Sequence, residues 1–478
     1  MRYIRKIVAI LLILCFIISF CGCDSETSEE NKNSENTGGT TDTHILDIPY
    51  SREDGMNPYL AKSFINSSIM QLVYSGLYSV DNAYQAQPVL ASGASIDGVE
   101  VVVDIGASRR FSDGSQITAD DVIYSFKMAK SSVYYGSSLQ WIDSVSAASV
   151  KTVIFHLKNP NQYILSCLTF PVVKLNTANE QSSKPVGAGM YVYSDKDNGG
   201  ELNRNKYYSS EQYSSENVNL VNVSDDKSLL YSLVIGNIDA VFDDLSDGES
   251  QRINASSIQV PLNNLIFLGV SDRGIMSDVK LRQYISALLN RDDLISSGFE
   301  GYGVSSDRPF HPTWYAANGI KSPKYDYDDA NDYIKSNYSN DSITILVNSG
   351  NNFKVKLADT LRSQLEDMGI KSEVNAVETA AYNSAVASGK YDIYIGEYKL
   401  ANDMNINGII KYKDLGETYA EFLSGNINCD EFMTLFSEKQ PFIPIGFRNG
   451  ILAYSRNLEM TVEPTPEFPF ANLSEWVI

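Results

Sequence analysis

Residues 343–395 alternate between short apolar stretches and an amphipathic stretch, a pattern that favours a parallel β-sheet. Ile343–Val347 predicts a strand, and the apolar stripe after it predicts a helix that ends at Gly369. Lys371–Val377 and Tyr391–Ile395 predict two further strands. Parallel strands need a crossover connection, which intervening helices supply. This part of the chain is therefore predicted to fold as β-α-β-α-β.

The rest of the body continues this mixture of strands and helices without a short internal repeat. Thr118 predicts the start of a helix, with Asp121 placed three residues later for a reciprocal cap. Other predicted strands lie at Val101–Ile105, Lys151–Leu157, Tyr191–Tyr193 and Asn264–Val270, and other predicted helices lie at Ser228–Ile235 and after a cap at Ser277. The predicted fold class is α/β.

The N-terminus has the organisation of a bacterial export signal. Three cationic residues precede an apolar run, Ile7 to Phe20, that is short for a membrane-spanning helix. Gly22 stands immediately before Cys23, an order that resembles a lipobox. Residues 1–22 are therefore predicted to be a lipoprotein signal peptide, with Cys23 as the lipidated residue. An uncleaved signal anchor is the alternative, and both interpretations place the body outside the cytoplasmic membrane.

Charge and cysteine usage exclude several classes of protein. The net charge is −21, from 38 Lys+Arg against 59 Asp+Glu. Nucleic-acid binding needs a basic patch, so no nucleic-acid partner is expected. Three His and five Cys are too few for a rich metal or disulfide framework. The body retains Cys167 and Cys429, for which we expect two free thiols.

Eight short motifs follow one another in the order of a known family. Phe111–Gly114 followed by Thr118–Phe126 resembles the signature of the peptide/nickel (family 5) substrate-binding proteins of ABC importers. The other motifs that resemble this family are Asn57–Pro58, Pro185–Tyr191, Gly236–Asp239, Val279–Arg291, Tyr325–Asp328, Ser388–Asp392 and Phe447–Gly450. Each motif alone is weak evidence for the family, but eight motifs in the order of the family over residues 45–478 are specific evidence for it.

This resemblance implies a bilobed periplasmic-binding-protein-like fold in which ligand is trapped between two lobes. The implied boundaries are 44–75, 182–262 and 445–478 for lobe one, 76–181 for a small domain inserted in lobe one, and 263–444 for lobe two. Residues 23–43 contain no large apolar side chain, so they predict a disordered tether between the lipid and the body.

No pattern typical of a catalytic site appears in the body. It contains neither an H-E-x-x-H nor a G-x-S-x-G motif. His156 lies in a predicted strand, where a structural role is favoured. His311 can face the cleft, although a structural role is again favoured, and His44 borders the tether. We expect no catalytic residues, no metal ligands and no cofactor.

Candidates for ligand contact come from aromatic side chains, from the predicted crossovers between lobes and from the family-like motifs. They are Asn57, Trp141, Asn264, Trp314, Glu397, Tyr398 and Arg448. Tyr and Trp offer rigid contact area that suits a binding cleft, although a core position is equally expected for each Trp. Asn264 and Glu397 stand near the crossovers, where they either bind ligand or satisfy the hinge.

The resemblance also bears on specificity. In oligopeptide-binding relatives, an Asp shortly after the strand that follows G-x-Y-D holds the α-ammonium of the ligand. The matching position here is Ala401, which carries no charge, and Lys399 nearby would repel a cation. The sequence therefore predicts that a free peptide N-terminus is not the main anchor, unless Glu397 or Asp403 takes the role of the acid.

The function implied by the resemblance is capture of a solute, most simply an oligopeptide, for an ABC permease and its ATPase. The alternatives are another polar solute such as a sugar oligomer or a chelated metal, a secreted hydrolase, and a non-transport sensor. We expect a monomer, held by its lipid on the extracytoplasmic face of the cell membrane.

Overall fold

The computed structural model describes residues 45–197, 199–208, 215–223, 228–250, 254–320, 325–458 and 461–477. The predictions for the signal peptide, Cys23, the tether and His44 lie outside the described residues. No helix among the described residues has both the length and the apolar character needed to cross a bilayer.

The strands are β1 (Leu46–Tyr50), β2 (Tyr78–Val80), β3 (Ala86–Pro88), β4 (Ala91–Asp97), β5 (Glu100–Ile105), β6 (Ile142–Ser149), β7 (Thr152–Leu157), β8 (Tyr191–Lys196), β9 (Gly199–Arg204), β10 (Asn217–Asn222), β11 (Ala240–Asp243), β12 (Ser256–Val270), β13 (Gly303–Ser305), β14 (Ser342–Asn348), β15 (Lys371–Val377), β16 (Ile393–Lys399) and β17 (Phe442–Tyr454). The helices are α1 (Phe64–Val73), α2 (Ala119–Lys130), α3 (Leu229–Val234), α4 (Val279–Leu288), α5 (Arg291–Gly298), α6 (Tyr327–Tyr338), α7 (Asn352–Asp367), α8 (Thr379–Ala387), α9 (Lys413–Leu423) and α10 (Cys429–Lys439).

Local sequence signals set most of the helix ends. The main-chain amide of Thr118 donates to the Asp121 carboxylate at 2.8 Å, which confirms the predicted start of α2. Gly369 follows α7 with φ +96°, a conformation that a side chain disfavours. The predicted cap at Ser277 is wrong by one residue. Ser277 ends a short 3-10 turn, and Asp278 instead accepts from the amide of Lys280 at the start of α4.

The central sheet has the strand order β11-β17-β12-β16-β14-β15, and β13 also pairs with β17. Strand β14 runs parallel to β15 and β16, which confirms the predicted β-α-β-α-β unit and the α/β fold class. Helix α7 covers this unit because Leu357, Leu361 and Leu365 recur on one face and are fully buried.

Two long antiparallel strands, β12 and β17, run side by side through the middle of the molecule. The predicted boundaries at 262/263 and 444/445 fall inside them. Leu262 and Asn263 form a bulge in β12, and a second irregularity lies opposite Ile266 and Phe267. Bulges bend and twist a strand pair. The strands therefore change direction near the predicted crossovers, while the domain boundaries themselves stay a prediction.

The buried side chains divide into separate cores. The first core contains Ile48, Tyr74 and Phe126 and extends to Trp476. The other two main cores lie on opposite faces of the central sheet, since side chains alternate along β12. Ile266 and Leu268 belong to the helix-side core, and Leu265 and Phe267 belong to the aromatic core. Two smaller four-stranded sheets flank the first core. The sheet β4-β5-β7-β6 is antiparallel, and the sheet β1-β10-β9-β8 is antiparallel except for the parallel pair β1 and β10.

Cys167 and Cys429 are buried and free, which confirms the expectation of two free thiols.

Candidate functional site

A cavity of about 220 Å³ lies where α1 and the C-terminal segment meet the long strands and the end of β16. We call it the interlobe cavity. Phe64, Ser67, Ser68 and Gln71 line it from α1, at a spacing that places them on one helix face. Lys399, Leu400 and Asn402 line it from the end of β16. Residues 134–139, 167–170, 242–244, 262–264 and 466–469 contribute the remaining lining side chains.

The bulge in β12 joins the walls of the interlobe cavity. Asn263 donates to the side-chain oxygen of Asn402 at 2.7 Å, and Asn402 donates to the main-chain oxygen of Ser166 at 3.0 Å. Asn263 and Asn402 are buried, where amide groups are normally hydrogen-bonded, and within the described residues the Asn263 side-chain oxygen has no hydrogen-bond partner. The chain of hydrogen bonds links a long strand, the loop after β16 and the small inserted region.

Three predicted site residues come together beside the cavity. Glu397 accepts from the Asn264 side chain at 2.7 Å and from Arg448 Nε at 2.9 Å. Lys354 of α7 pairs with the other oxygen of Glu397 at 2.7 Å. Burial alone would raise the pKa of Glu397, but the charges of Arg448 and Lys354 outweigh it and hold the pKa near about 2. Glu397 is therefore a paired carboxylate at neutral pH, and Asn264 is the member of this network that lines the cavity.

Strand β16 ends later than predicted, at Lys399 rather than at Ile395. Glu397 and Tyr398 consequently lie within the strand and point to opposite faces of the sheet. Glu397 joins the face that carries Ile395, and Tyr398 packs over Gly408 against the aromatic core. Tyr398 lies outside the cavity lining, with its hydroxyl near Gln140 of lobe one.

Three other predicted residues also lie outside the cavity lining. Asn57 is fully buried, and its side-chain amide donates to the main-chain oxygens of Ala178 and Glu180. Trp314 is fully buried in the aromatic core. Trp141 is half-buried, and the cavity is lined instead by its neighbours in the segment 134–139. Asn57 and Trp314 therefore contact other parts of the fold rather than the cavity.

The predicted inserted domain, residues 76–181, and the predicted lobe two, residues 263–444, also touch away from the cavity. The Asn161 side chain donates to the Asp403 carboxylate at 2.7 Å. The ring of Tyr163 lies 5.0 Å from that of Trp314, and the ring of Tyr84 lies 5.0 Å from that of His311. Residues 76–181 and 263–444 are thus joined by several hydrogen bonds, among them Asn161 to Asp403 and the amide of Gln162 to the main-chain oxygen of Leu423, and by a layer of aromatic rings.

Sequence reasoning missed Glu467 as a lining residue, whereas Lys399, which was predicted to lie near the ligand, lines the cavity. Glu467 lies between Pro466 and Pro469 in the C-terminal segment, and its main-chain oxygen accepts from Gln71 at 2.8 Å. Burial raises the pKa of the Glu467 carboxyl, while hydrogen bonds from Asn402 and Thr169 and the charge of Lys399 oppose that rise. The flanking prolines mark an irregular segment, but no sequence spacing connects it with α1.

The histidines of the described body occupy structural positions. His156 lies in β7, with Nε2 3.0 Å from the Ser146 hydroxyl. His311 is 1% exposed, and burial lowers its pKa to about 4, so it is neutral at pH 7. No group of three or more His, Cys, Asp or Glu within the described residues has a geometry that could hold a metal ion.

Comparison with known proteins identifies this architecture. Residues 85–411 match the sequence family described as bacterial extracellular solute-binding proteins, family 5 Middle. The oligopeptide-binding protein AppA of Bacillus subtilis is 20% identical, and the alignment covers 98% of this chain and 97% of AppA.

Two solved structures show the same fold. The substrate-binding protein CtaP of Listeria monocytogenes has a TM-score of 0.70 at 18% identity, covering 91% of this chain and 99% of CtaP. Bacillus subtilis AppA in complex with a nonapeptide has a TM-score of 0.58 at 19% identity, covering 90% of this chain and 98% of AppA. These likenesses confirm the bilobed periplasmic-binding-protein-like fold.

Proposed function

This chain belongs to the bacterial extracellular solute-binding proteins of family 5, and we propose that it captures oligopeptides for an ABC importer. The peptide binds between the two lobes without a catalytic step and passes to the permease and its ATPase. AppA, a relative along nearly the whole chain, is an oligopeptide-binding protein, which supports peptide as the ligand class.

The interlobe cavity is the observation that carries this proposal. Its lining side chains come from segments predicted for both lobes and from the long strands, and this supports a ligand that contacts both lobes at once. A ligand that prefers the closed arrangement shifts the population of lobe positions toward it. Amide and hydroxyl side chains beside the aromatic rings of Phe64 and Phe242 suit the polar backbone and apolar side chains of a peptide.

Asn264 is the predicted residue that we assign to direct ligand contact, because it is the one that lines the cavity. Glu397 and Arg448 act through it by fixing the orientation of its amide. Asn57, Trp141, Trp314 and Tyr398 support the walls. The permease recognises the closed form, in which contacts such as Asn161 with Asp403 hold the lobes together.

Export and anchoring complete the proposal. The basic start, the apolar run and Gly22–Cys23 support cleavage before Cys23 and attachment of lipid there. The polar segment 24–43 then links the lipid to the body. A monomer tethered in this way stays close to a permease in the same membrane.

Native mass spectrometry of the gently purified chain tests the function. We expect a bound mass that fragments as a peptide and that falls in occupancy in Asn264→Ala. The matched control is Asn337→Ala on α6, because the Asn337 side chain is exposed and does not line the cavity. A bound sugar oligomer or chelated metal, or turnover of a substrate panel, would contradict the proposal.

A further inference from the structure

A continuous set of contacts joins residues 76–181 to residues 263–444, and we call it the aromatic interface. The amide of Tyr315 donates to the main-chain oxygen of Ala83 at 3.0 Å, and the amide of Gln162 donates to that of Leu423 at 2.9 Å. Its side-chain members are Tyr84, Asn161 and Tyr163 on one side and His311, Trp314 and Asp403 on the other.

The aromatic interface borders the interlobe cavity. Asn402, which lines the cavity, donates to the main-chain oxygen of Ser166 at 3.0 Å, so a contact between the two regions is part of the cavity wall. Cys167 and Leu400 line the cavity on the two sides of this contact. Separation of the interface would therefore part the wall and give solvent and ligand a path to the cavity.

Tyr84 is the side chain through which residues 76–181 enter the aromatic core. It lies in the turn between β2 and β3, is fully buried, and has its ring 5.0 Å from that of His311. Its φ is +58°, a left-handed conformation that is unfavourable for a bulky residue. Its hydroxyl has no hydrogen-bond partner among the described residues. Ring packing therefore closes the interface, while backbone strain and an unpaired hydroxyl oppose closure.

His311 faces Tyr84 and has one ring nitrogen without a partner. Nδ1 accepts from the amide of Thr313 at 3.3 Å, so the proton of the neutral ring is on Nε2. Within the described part of the chain, neither this Nε2–H nor the indole N–H of Trp314 has an acceptor. Both donors would be hydrogen-bonded to water in an open interface, so their burial also opposes closure.

A second proton on the His311 ring has no stabilising partner inside the interface. It would go to Nδ1, which would then direct an N–H at the amide of Thr313. The positive charge would lie between the rings of Tyr84 and Phe447. Burial holds the Tyr84 hydroxyl in its neutral form, because it raises the pKa well above the usual value of 10.

The charged groups on the elements packed against His311 have other partners. They are Asp81 in the β2–β3 turn, Asp307 and Arg308 in its own segment, and Arg448 of β17 with its partner Glu397. In the described ranges none of them forms an ion pair with His311. The charge of Glu467 raises the pKa of Tyr84, but burial is the cause that shifts the pKa of His311.

We propose that the aromatic interface is an acid-sensitive gate of the interlobe cavity, which opens when the ring of His311 takes up a proton. The inference rests on the proposed function in one respect, since it adds regulation to the cavity in which that function places the ligand. The gate itself is a property of the ligand-free chain.

The direction of the acid dependence follows from the two states of the interface. Burial lowers the pKa of His311 from its usual 6.5 to about 4 in the closed interface, and contact with water returns it toward 6.5 in an open one. The open state therefore binds the proton more tightly. The closed interface keeps its full stability above the usual pKa of 6.5 and loses it as the pH falls toward about 4.

Hydrogen exchange of the ligand-free mature chain tests the gate. Mass spectrometry follows the peptides that contain Tyr315 and Gln162, because their amides are hydrogen-bonded across the interface. After correction for the intrinsic exchange rate, the protection of both amides should fall by roughly twentyfold between pH 7 and about pH 5. The amides of α7, which lies in the helix-side core, should keep their protection.

Two variants separate the contributions of the two rings. His311→Asn keeps an acceptor for the Thr313 amide and removes the titrating ring, so it should abolish the acid-dependent fall. Tyr84→Phe keeps the ring and removes the unpaired hydroxyl, so it should raise protection at pH 7 by about fivefold or more. His156→Asn is the matched control, since His156 lies in β7 beside the Ser146 hydroxyl, and it should respond to acid as the wild-type chain does.

Constant protection of Tyr315 and Gln162 in the wild-type chain from pH 7 to about pH 5 would overturn the gate. An equal fall in His311→Asn would do the same, as would a fall that extends to α7 and so reports general unfolding. Lower protection in Tyr84→Phe at pH 7 would contradict the account of the unpaired hydroxyl and overturn the inference. The readout needs no ligand, so failure of the chain to bind peptide would overturn the proposed function alone.

Discussion

Replacing Glu397 by Gln should destabilise the protein because it leaves the buried Arg448 and the partly buried Lys354 with a neutral partner. The Glu397 side chain is 14% exposed, Lys354 is 17% exposed and Arg448 is 3% exposed. The pKa of Glu397 falls from its usual 4.5 to about 2 in the folded chain. At about 1.4 kcal/mol per pH unit, that difference corresponds to about 3 kcal/mol of folding stability at neutral pH. Loss of one partner of a buried ion pair has a cost of similar size, about 3–5 kcal/mol.

The pH dependence gives this prediction a second observable. A carboxyl with a lowered pKa in the folded state contributes its full stabilisation above the unfolded pKa of about 4.5 and loses it as the pH falls toward about 2. The wild-type chain should therefore lose stability steadily through this window. Glu397→Gln should show a shallower slope there, because the titrating group is gone.

Urea unfolding followed by circular dichroism at pH 7, and at intervals from about pH 5 to about pH 3, measures both effects. Glu366→Gln is the matched control, since Glu366 forms an exposed i,i+4 pair with Arg362 at 3.5 Å. An exposed pair of this kind contributes about 0.2–1 kcal/mol. If Glu397→Gln cost no more than the control and kept the wild-type slope, the assignment of a buried paired carboxylate would be refuted.

Three further predictions concern the anchor, closure and a helix start. Cys23→Ala should abolish incorporation of labelled fatty acid and release the body from membranes, and unchanged labelling would rule out Cys23 as the lipidated residue. A peptide at 100 times its Kd should add about 2.7 kcal/mol of stability and reduce the radius of gyration in small-angle scattering, whereas a saturated chain of unchanged radius would contradict lobe closure. Asp121→Ala should cost about 1–3 kcal/mol in chemical denaturation, because the Asp121 carboxylate accepts from the amides of Thr118 and Leu175. The exposed neighbour variant Asp120→Ala should cost far less, and equal costs would refute the capping argument.

Patterns of nearby residues predicted most of the local structure. The parallel unit of β14, β15 and β16, the start of α2 and the end of α7 all follow from periodicity and capping chemistry. The extent of β16 could not be predicted in the same way. Its apolar pattern fades after Ile395, but pairing with β12 continues to Lys399 because the neighbouring strand is long enough to hold it.

Asn264 and Glu397 were predicted as site residues from their places near the crossovers and Arg448 from its motif, and the structure brings these three together. Their role was not determined by the motifs. Lys354 reaches Glu397 from α7, and no spacing in the sequence indicates that contact. Asn57 and Trp314 were also predicted as site residues, but both are buried outside the cavity lining. A matching motif or an aromatic ring does not reveal whether the side chain faces a cavity or a core.

The sequence by itself determined the α/β alternation, the absence of a familiar catalytic motif in the body, and membership of a binding-protein family, whereas the structure decided that Cys167 and Cys429 stay unpaired. Only the tertiary structure decided which side chains share the interlobe cavity. Gln71 and Glu467 are 396 positions apart, yet they are hydrogen-bonded neighbours in its wall. Periodicity and capping act over about one or two helical turns, so they fix local conformation. The meeting of α1, the end of β16 and the C-terminal segment depends instead on how whole elements bury their apolar faces against one another.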